Sequence, residues 1–347
     1  MTRAVVIVSV MLMAVGIVSG ARVRDAGGLP HERFESWAAQ HGKSYANEEE
    51  RRARLVTWMQ TDREIAAHNA NESRTFEMGH NAFSDMSWSE FSEKVLMTNP
   101  LGASQNCSAT AEESSSFGHD IELSSAPKFI DWREYEAVSE VKNQGQCGSC
   151  WTFSSTGALE SHHFLATGDM VLLSEQQLVD CAGAFDTHGC GGGLPSKAFE
   201  YVHYNRGIDT ESAYPYKAEN EKCSFDADAV GARVHRTHNI TFQDEAQLVK
   251  AIGFKGPVSI AYQVASDFKQ YKSGVYSSSI CKNGPETVNH AVLAVGYALM
   301  DVVDSLHGYY IVKNSWGTSW GMAGFFEIEL GKNMCGLADC ASFPEVK

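Results

Sequence analysis

The chain has 347 residues, 43% hydrophobic and 10% aromatic, with a formal charge of −15. That length suffices for two globular domains, or one domain with a leader segment. The acidic balance excludes nucleic acid and anionic membranes as partners, since both ask for a basic face.

Met1-Thr2-Arg3 precedes an apolar run from Ala4 to Val18 and the small residues Ser19-Gly20-Ala21. This reads as a secretory signal peptide over residues 1–20. The run is short for a membrane span, and no later stretch is long and apolar enough to be one. Helical spacing follows. His31 to Gln40 carries Phe34, Trp37 and Ala38 on one face. Glu48 to Ala70 is expected to be a longer helix, with Leu55, Trp58, Met59, Ile65 and Ala66 on its apolar side. Phe76 to Met78 suits a short strand. Ser87 is placed to cap a helix through Lys94, with Glu90 at the capping-box position. This small region has too little core of its own and is expected to pack on the remainder. Asn99 to Ser125 is rich in Ser, Ala, Glu and Gly and has linker composition, exposed and open to proteolysis.

From Pro127 the chain turns aromatic. Gln144-Gly-Gln-Cys147-Gly148-Ser149-Cys150-Trp151 is a Gly/Ser-rich turn, followed by a helix-compatible run from Thr152 to Ala166. A cysteine at a helix N-terminus sits among unpaired N–H groups that favour its thiolate, the nucleophile of acyl transfer. Ser174 caps another helix, with Gln177 three residues on. Gly189 to Gly193 is a glycine-rich turn holding Cys190. Beyond about residue 230, strands dominate: Val258–Val264, His290–Tyr297, Tyr309–Lys313 and Phe325–Leu330. A helical first half and a strand-rich second half predict two lobes with a cleft between them.

Secretion permits disulfides. Nine cysteines make four pairs and one left over, either an intermolecular link or a reactive thiol. Cys150 is the choice for the leftover. Sequons at Asn71, Asn106 and Asn239 mark candidate glycosylated surface loops. His162 and His163 are adjacent, share no helix face and read as surface histidines. Nothing suggests a metal or cofactor.

A bare C-x-x-C is more often a redox pair or half a zinc site. Here a C-G-S-C-W turn is joined by His290, roughly 140 residues on, and Asn314, roughly 165 on, against roughly 130–150 for the matching signature. With these residues the chain resembles the papain family of cysteine proteases, and within it the cathepsin H group. The resemblance implies an α+β fold with a helical left lobe, a β-barrel-like right lobe and a helical inhibitory pro-region. It implies Cys150 as nucleophile, His290 as its ion-pair partner and later acid, and Asn314 as the holder of the imidazole beneath Trp316. Gln144 would bind the oxyanion with the Cys150 N–H, while Gly148, Gly192 and Gly193 would let a substrate backbone approach. The implied disulfides are Cys147–Cys190, Cys181–Cys223 and Cys281–Cys335.

Glu50, Arg54, Trp58, Thr61, Ile65 and Asn69 fall on the ERFNIN spacing of cathepsin pro-regions, with Trp58 and Thr61 departing from its Phe and Asn. Gly79, Asn81, Phe83 and Asp85 fit G-x-N-x-F-x-D. Residues 21–102 therefore resemble an inhibitory pro-region. Gln105-Asn-Cys107-Ser-Ala-Thr110 resembles the mini-chain of the cathepsin H group, though the flank Ala103-Ser104 departs from it. That implies a mini-chain at 103–110 tied by Cys107–Cys340, an excised linker at 111–125 and a mature domain at 126–347. A tethered peptide ending in the Thr110 carboxylate would meet a substrate's α-ammonium and favour aminopeptidase action with limited endopeptidase action. Peptide and protein substrates, cystatin-like inhibitors, a monomeric state and a lysosomal or extracellular location are further expectations of the resemblance. The alternatives are an ordinary cathepsin L-like endopeptidase, a redox protein using Cys147 and Cys150, and a catalytically dead binding protein.

Overall fold

Pro30 fixes the first turn of α1 (Pro30–Gln40), and the Glu32 carboxylate accepts from the Leu29 N–H. Phe34, Trp37 and Ala38 are its buried residues. The computed structural model describes residues 29–98, 117–118, 120–301 and 306–346. The chain divides into two compact units, residues 1–43 and 44–347; α1 belongs to the first, and all that follows concerns the second.

The Asn47 side chain caps α2 (Glu48–Asn69) by accepting from the Glu50 N–H. The apolar face expected for this helix is only partly there. Trp58 and Thr61 are its buried residues, Leu55, Met59 and Ile65 are half-buried, and Ala66 is exposed. The inward face is instead half polar. Arg54 Nη2 meets Glu90 Oε1 at 2.8 Å, and Asn69 exchanges two hydrogen bonds with Met78 in β1 (Phe76–Met78). A hydrophobic pattern misses such a face because its burial is satisfied by hydrogen bonds. Ser87 caps α3 (Trp88–Lys94). The Glu90 carboxylate does not close the capping box; it serves Arg54 and Lys94.

β2 (Phe129–Asp131) leads to α4 (Cys150–Thr167), which is buried from Cys150 to His162 except at Phe153. α5 (Glu175–Cys181) and α6 (Pro195–Asn205) pack with α4 around Trp151, Leu159, Leu178 and Phe199 to form the helical lobe. The short pair β3 (Ile208–Asp209) and β4 (Val230–Ala232) closes that region. β5 (Val234–Asn239), α7 (Glu245–Phe254), β6 (Val258–Tyr262), β7 (Tyr271–Tyr276), β8 (His290–Asp301), β9 (His307–Lys313), β10 (Phe325–Leu330) and β11 (Ser342–Val346) form the second lobe. Its nine-stranded sheet runs β1-β7-β10-β9-β8-β6-β11-β5, with β2 added on β8. β7 and β10 are parallel and the remaining pairs antiparallel. No pairing joins β1 to β5 among the described residues, so the sheet is not closed into a barrel there. The fold is an α+β two-lobe fold.

β5, β7 and β11 escape a hydrophobic reading. β5 is an edge strand carrying His235, Arg236 and His238, β7 contains Lys272 and Gly274, and β11 contains Pro344. Among the described residues three disulfides staple the second unit: Cys147–Cys190, Cys181–Cys223 and Cys281–Cys335. Each contributes about 2–4 kcal/mol, chiefly by restricting the unfolded chain in the entropy model.

Three surface expectations need correction. His162 is buried, donates from Nε2 to the Pro257 carbonyl (3.0 Å) and stacks on Phe343. Asn239 ends β5, is buried and pairs in register with Ser342, so it offers no surface loop for a glycan. The expected linker 99–125 is not exposed throughout: Phe117, Ile121 and Leu123 are half-buried and Gly118 is buried. Asn71 is exposed just beyond α2. The signal peptide, Cys107, the Asn106 sequon and Thr110 lie outside the described residues.

Candidate active site

Antiparallel pairing sets the geometry. β8 begins where β9 ends, so His290 at the start of β8 and Asn314 just past β9 share one end of the sheet. His290 Nε2 and Asn314 Oδ1 are 2.9 Å apart. Trp316 stacks on the imidazole, ring centroids 4.7 Å apart, and excludes water from that bond. Cys150, the first residue of α4, faces this end from the other lobe: its Sγ accepts from the N–H of Ala291, next to His290, at 3.3 Å. His290 Nδ1, the ring nitrogen not used by Asn314, has no hydrogen-bond partner among the described residues.

Gln144 is aimed at the same place. Its amide plane is fixed by Ser315 Oγ, which donates to Oε1 at 2.7 Å, and by the backbone bond from Gln144 N to the Ser315 carbonyl. Its Nε2 donates to the carbonyls of Cys147 (2.7 Å) and Val95 (2.8 Å). The second of these comes from the N-terminal segment. That segment continues along the groove: Met97 N donates to the Asn289 carbonyl and Thr98 N to the Gly191 carbonyl. Gly148 and Gly192 make room for it. A Cβ on Gly148 would stand 2.5 Å from the Cys190 carbonyl oxygen and 2.7 Å from that of Leu96, and one on Gly192 would stand 2.9 Å from Met97 Cβ. Gly193 is explained differently, since its missing Cβ would strike the Trp151 ring.

Burial decides the charge states under this cover. Cys150 and His290 are both 0% exposed. The N–H groups of Ala291, Trp151 and Cys150 favour the thiolate, yet burial outweighs them and pushes the thiol up to about 12. The same burial pulls His290 down to about 4 against the opposing bond from Asn314. Burial of the site thus opposes the ionisation that the helix end favours.

The N-terminal segment is held some distance from the groove by its second motif. Asn81 Nδ2 donates to the Lys269 carbonyl, Ser84 Oγ to Gln270 Oε1, and Gly79 N to the Gln270 carbonyl. Phe83 and Phe91 meet Trp316 edge-on at 5.6 and 5.4 Å, behind the indole that covers His290.

Sequence reasoning missed several supporting groups. Ser315 and the Ala291 N–H carried no signal beyond adjacency to Asn314 and His290. Ser149 Oγ and the Tyr216 hydroxyl are 2.6 Å apart, and Tyr216 donates to the Gln144 carbonyl, tying the helix end to the oxyanion side. Half-buried Lys142 bridges the buried Glu160 (2.8 Å) and Glu175 (2.6 Å), locking α4 to α5.

A family model described as papain family cysteine protease matches residues 126–345. The chain belongs to the papain family of cysteine proteases. A second model, the cathepsin propeptide inhibitor domain, matches residues 34–91, so the segment described above is the protease's own inhibitory propeptide. Pro-cathepsin H of Bos taurus is 50% identical over 94% of this chain and 93% of its own length. Thiol protease aleurain of Arabidopsis thaliana is 49% identical over 90% of this chain and 84% of its own. Among solved structures, digestive procathepsin L2 proteinase from Tenebrio molitor larval midgut superposes with a TM-score of 0.81 at 34% identity, covering 91% and 99% of the two chains. These relatives and the disulfides suit the secretory route to a lysosome or the exterior. No helix among the described residues is long and apolar enough to cross a membrane.

Proposed function

We propose that the matured protease acts chiefly as an aminopeptidase, with limited endopeptidase action. One observation carries this reading. Cys340 is disulfide-bonded, yet the six cysteines of the three described disulfides and free Cys150 leave it no described partner. Cys107, within the mini-chain-like stretch 103–110, supplies the missing sulfur. Cys340 belongs to the same extended buried cluster as Cys150, Ala291 and Met97. Its Thr110 carboxylate, once freed, would pair with a substrate's α-ammonium, and a charge-assisted bond of this kind is strong where water is excluded. A longer substrate would collide with the tethered peptide.

The chemistry assigned to the site residues follows from their geometry. With the propeptide gone, Cys150 and His290 are rehydrated and exchange a proton, giving thiolate and imidazolium. The thiolate attacks the peptide carbonyl. The resulting oxyanion takes the Gln144 Nε2 donor that Val95 O now occupies, together with the Cys150 N–H. Nδ1 of His290 protonates the leaving amine while Asn314 keeps the ring oriented through Nε2. Water, deprotonated by the same imidazole, then releases the acyl group. Substrates with free and blocked N-termini, compared before and after selective reduction of Cys107–Cys340, test the specificity. Preference for the free amine that vanishes on reduction is the expected result. Equal turnover of both by the intact enzyme leaves an ordinary endopeptidase.

A further inference from the structure

Beside the segment that carries Gln144 lies a polar space that the chemistry above does not use. Glu140, Lys142, Glu175, Glu211 and Tyr216 are among the side chains that line it. Glu175 is fully buried, and its Oε1 is taken by Lys142 Nζ (2.6 Å) and by the Thr156 hydroxyl. Glu211 Oε1 accepts from the Tyr216 N–H at 2.9 Å. The carboxyl of Glu211 also hydrogen-bonds that of Glu175. Yet Oε2 of Glu175 and Oε2 of Glu211 are both buried and find no donor among the described residues. Two ionised carboxylates are acceptors only, so a bond between them requires a proton. Charge balance asks for the same one. Lys142 and buried Lys313 face this cluster with two positive charges, against the three carboxyls of Glu160, Glu175 and Glu211. One proton brings the sum to zero; Glu140 stands exposed at the rim.

We infer that Glu175 and Glu211 hold one proton between them, and that this pair is a positioning element for the oxyanion side of the active site. The connection is short. Glu211 fixes the backbone of Tyr216. The Tyr216 hydroxyl donates to the Gln144 carbonyl (2.9 Å) and meets Ser149 Oγ, one residue before Cys150. With the proton in place, Glu211 stays against Glu175. Once it is lost, two carboxylates face each other where little water reaches them, and half-buried Glu211 is the one able to swing outward. The Tyr216 N–H then loses its acceptor, and Gln144 loses the tyrosine that steadies its carbonyl. Burial raises both carboxyls, Glu175 to about 7 against the pull of Lys142, so the proton leaves near neutrality. Burial pulls Lys313 down only to about 8, so it is still largely charged when that happens. A folded-state value above the unfolded one gives a stabilisation that is complete below about 4.5 and is lost as pH rises through about 7. The positioning role rests on the reading of Gln144 as an oxyanion donor; the shared proton does not.

In the test, matured enzyme is titrated between about pH 4 and 9 while the infrared carbonyl band of protonated carboxyls and kcat for a short peptide are read in parallel. Wild type is expected to show a band that persists past the range of ordinary carboxyls, fades near pH 7 and takes kcat down with it. Glu211→Gln, whose amide donates to Glu175 at every pH, and Glu175→Gln are each expected to lack that band. In Glu211→Gln the ratio of kcat at about pH 8 to kcat at about pH 5 should rise about threefold or more. Tyr216→Phe should keep the midpoint of the band while kcat ceases to follow it. Absence of a late-fading band from wild type overturns the shared proton without any variant, as does its survival in both glutamine variants. Identical kcat profiles for wild type and Glu211→Gln overturn the positioning role. Unchanged kcat in Gln144→Ala would overturn the oxyanion reading and the positioning role together, and leave the shared proton to the infrared band alone.

Discussion

The propeptide holds the enzyme in two regions of different character. Residues 76–91 grip the sheet lobe through strand pairing on β7, buried side-chain hydrogen bonds from Asn81 and Ser84, and Phe83 and Phe91 against Trp316. Residues 95–98 cover the reacting groups with only three bonds described here, at Gln144, Asn289 and Gly191. From these contacts we assign the affinity chiefly to the first region and the inhibition to the second. A plug that made many specific contacts at the groove would need to resemble a substrate closely; a remote anchor removes that need.

This division can be broken from either side. The largest expected effect is at the plugged centre: Cys150→Ser should lower kcat/KM for peptides at least about a thousandfold, since a hydroxyl is not ionised by this imidazole. Retained hydrolysis would remove the sulfur from the mechanism. Gln144→Ala should cost about 100- to 1000-fold in kcat with little change in KM, the pattern of a donor used mainly in the transition state. At the anchor, Phe83→Ala should destabilise the docked propeptide by about 2–3 kcal/mol, a truncation of a half-buried aromatic. Zymogen preparations would then show roughly 30- to 150-fold more uninhibited enzyme at neutral pH, while the matured enzyme keeps its kcat. Unchanged leakage would mean that the groove contacts alone provide the affinity.

The smallest effect tests a group in neither region. Burial holds His162 neutral and pulls it from an ordinary value near 6.5 to about 4. The unfolded chain therefore binds the extra proton between those limits. His162 contributes stability that is present above about pH 6.5 and is lost as pH falls toward about 4. His162→Gln, which retains a donor for the Pro257 carbonyl but cannot ionise, should flatten that acid-side loss by about 2–3 kcal/mol in denaturant melts of the matured enzyme. Parallel pH curves for both forms would show that His162 is not the responsible group.

Much of the fold was legible because its strongest elements have strong periodicity. α1, α4 and strands β6, β8, β9 and β10 stand within a few residues of their sequence-based bounds. The parts that were not legible share a cause: their burial is satisfied by polar bonds or partners far along the chain. The inward face of α2 works through Arg54 and Asn69 as well as Trp58 and Ile65, so counting its apolar residues found only part of that face. His162 is buried because Pro257 and Phe343 arrive from other elements. At the site, Cys150, His290 and Asn314 were named from motif and spacing and Gln144 from the family resemblance, and the structure brings all four to one end of the groove. Their charge states could not be read that way. A helix N-terminus argues for a thiolate, and only the structure shows Cys150 fully buried beside the groove that Val95–Thr98 crosses.

The central claim is that the propeptide keeps Cys150 and His290 uncharged and that its departure creates the ion pair. Iodoacetamide alkylation of Cys150, followed by mass spectrometry from pH 4 to 8 for zymogen and matured enzyme, tests it most directly. The account predicts a zymogen cysteine that is almost inert across that range, and a matured cysteine that reacts rapidly even where an ordinary thiol is protonated. Equal alkylation rates in the two forms would contradict it.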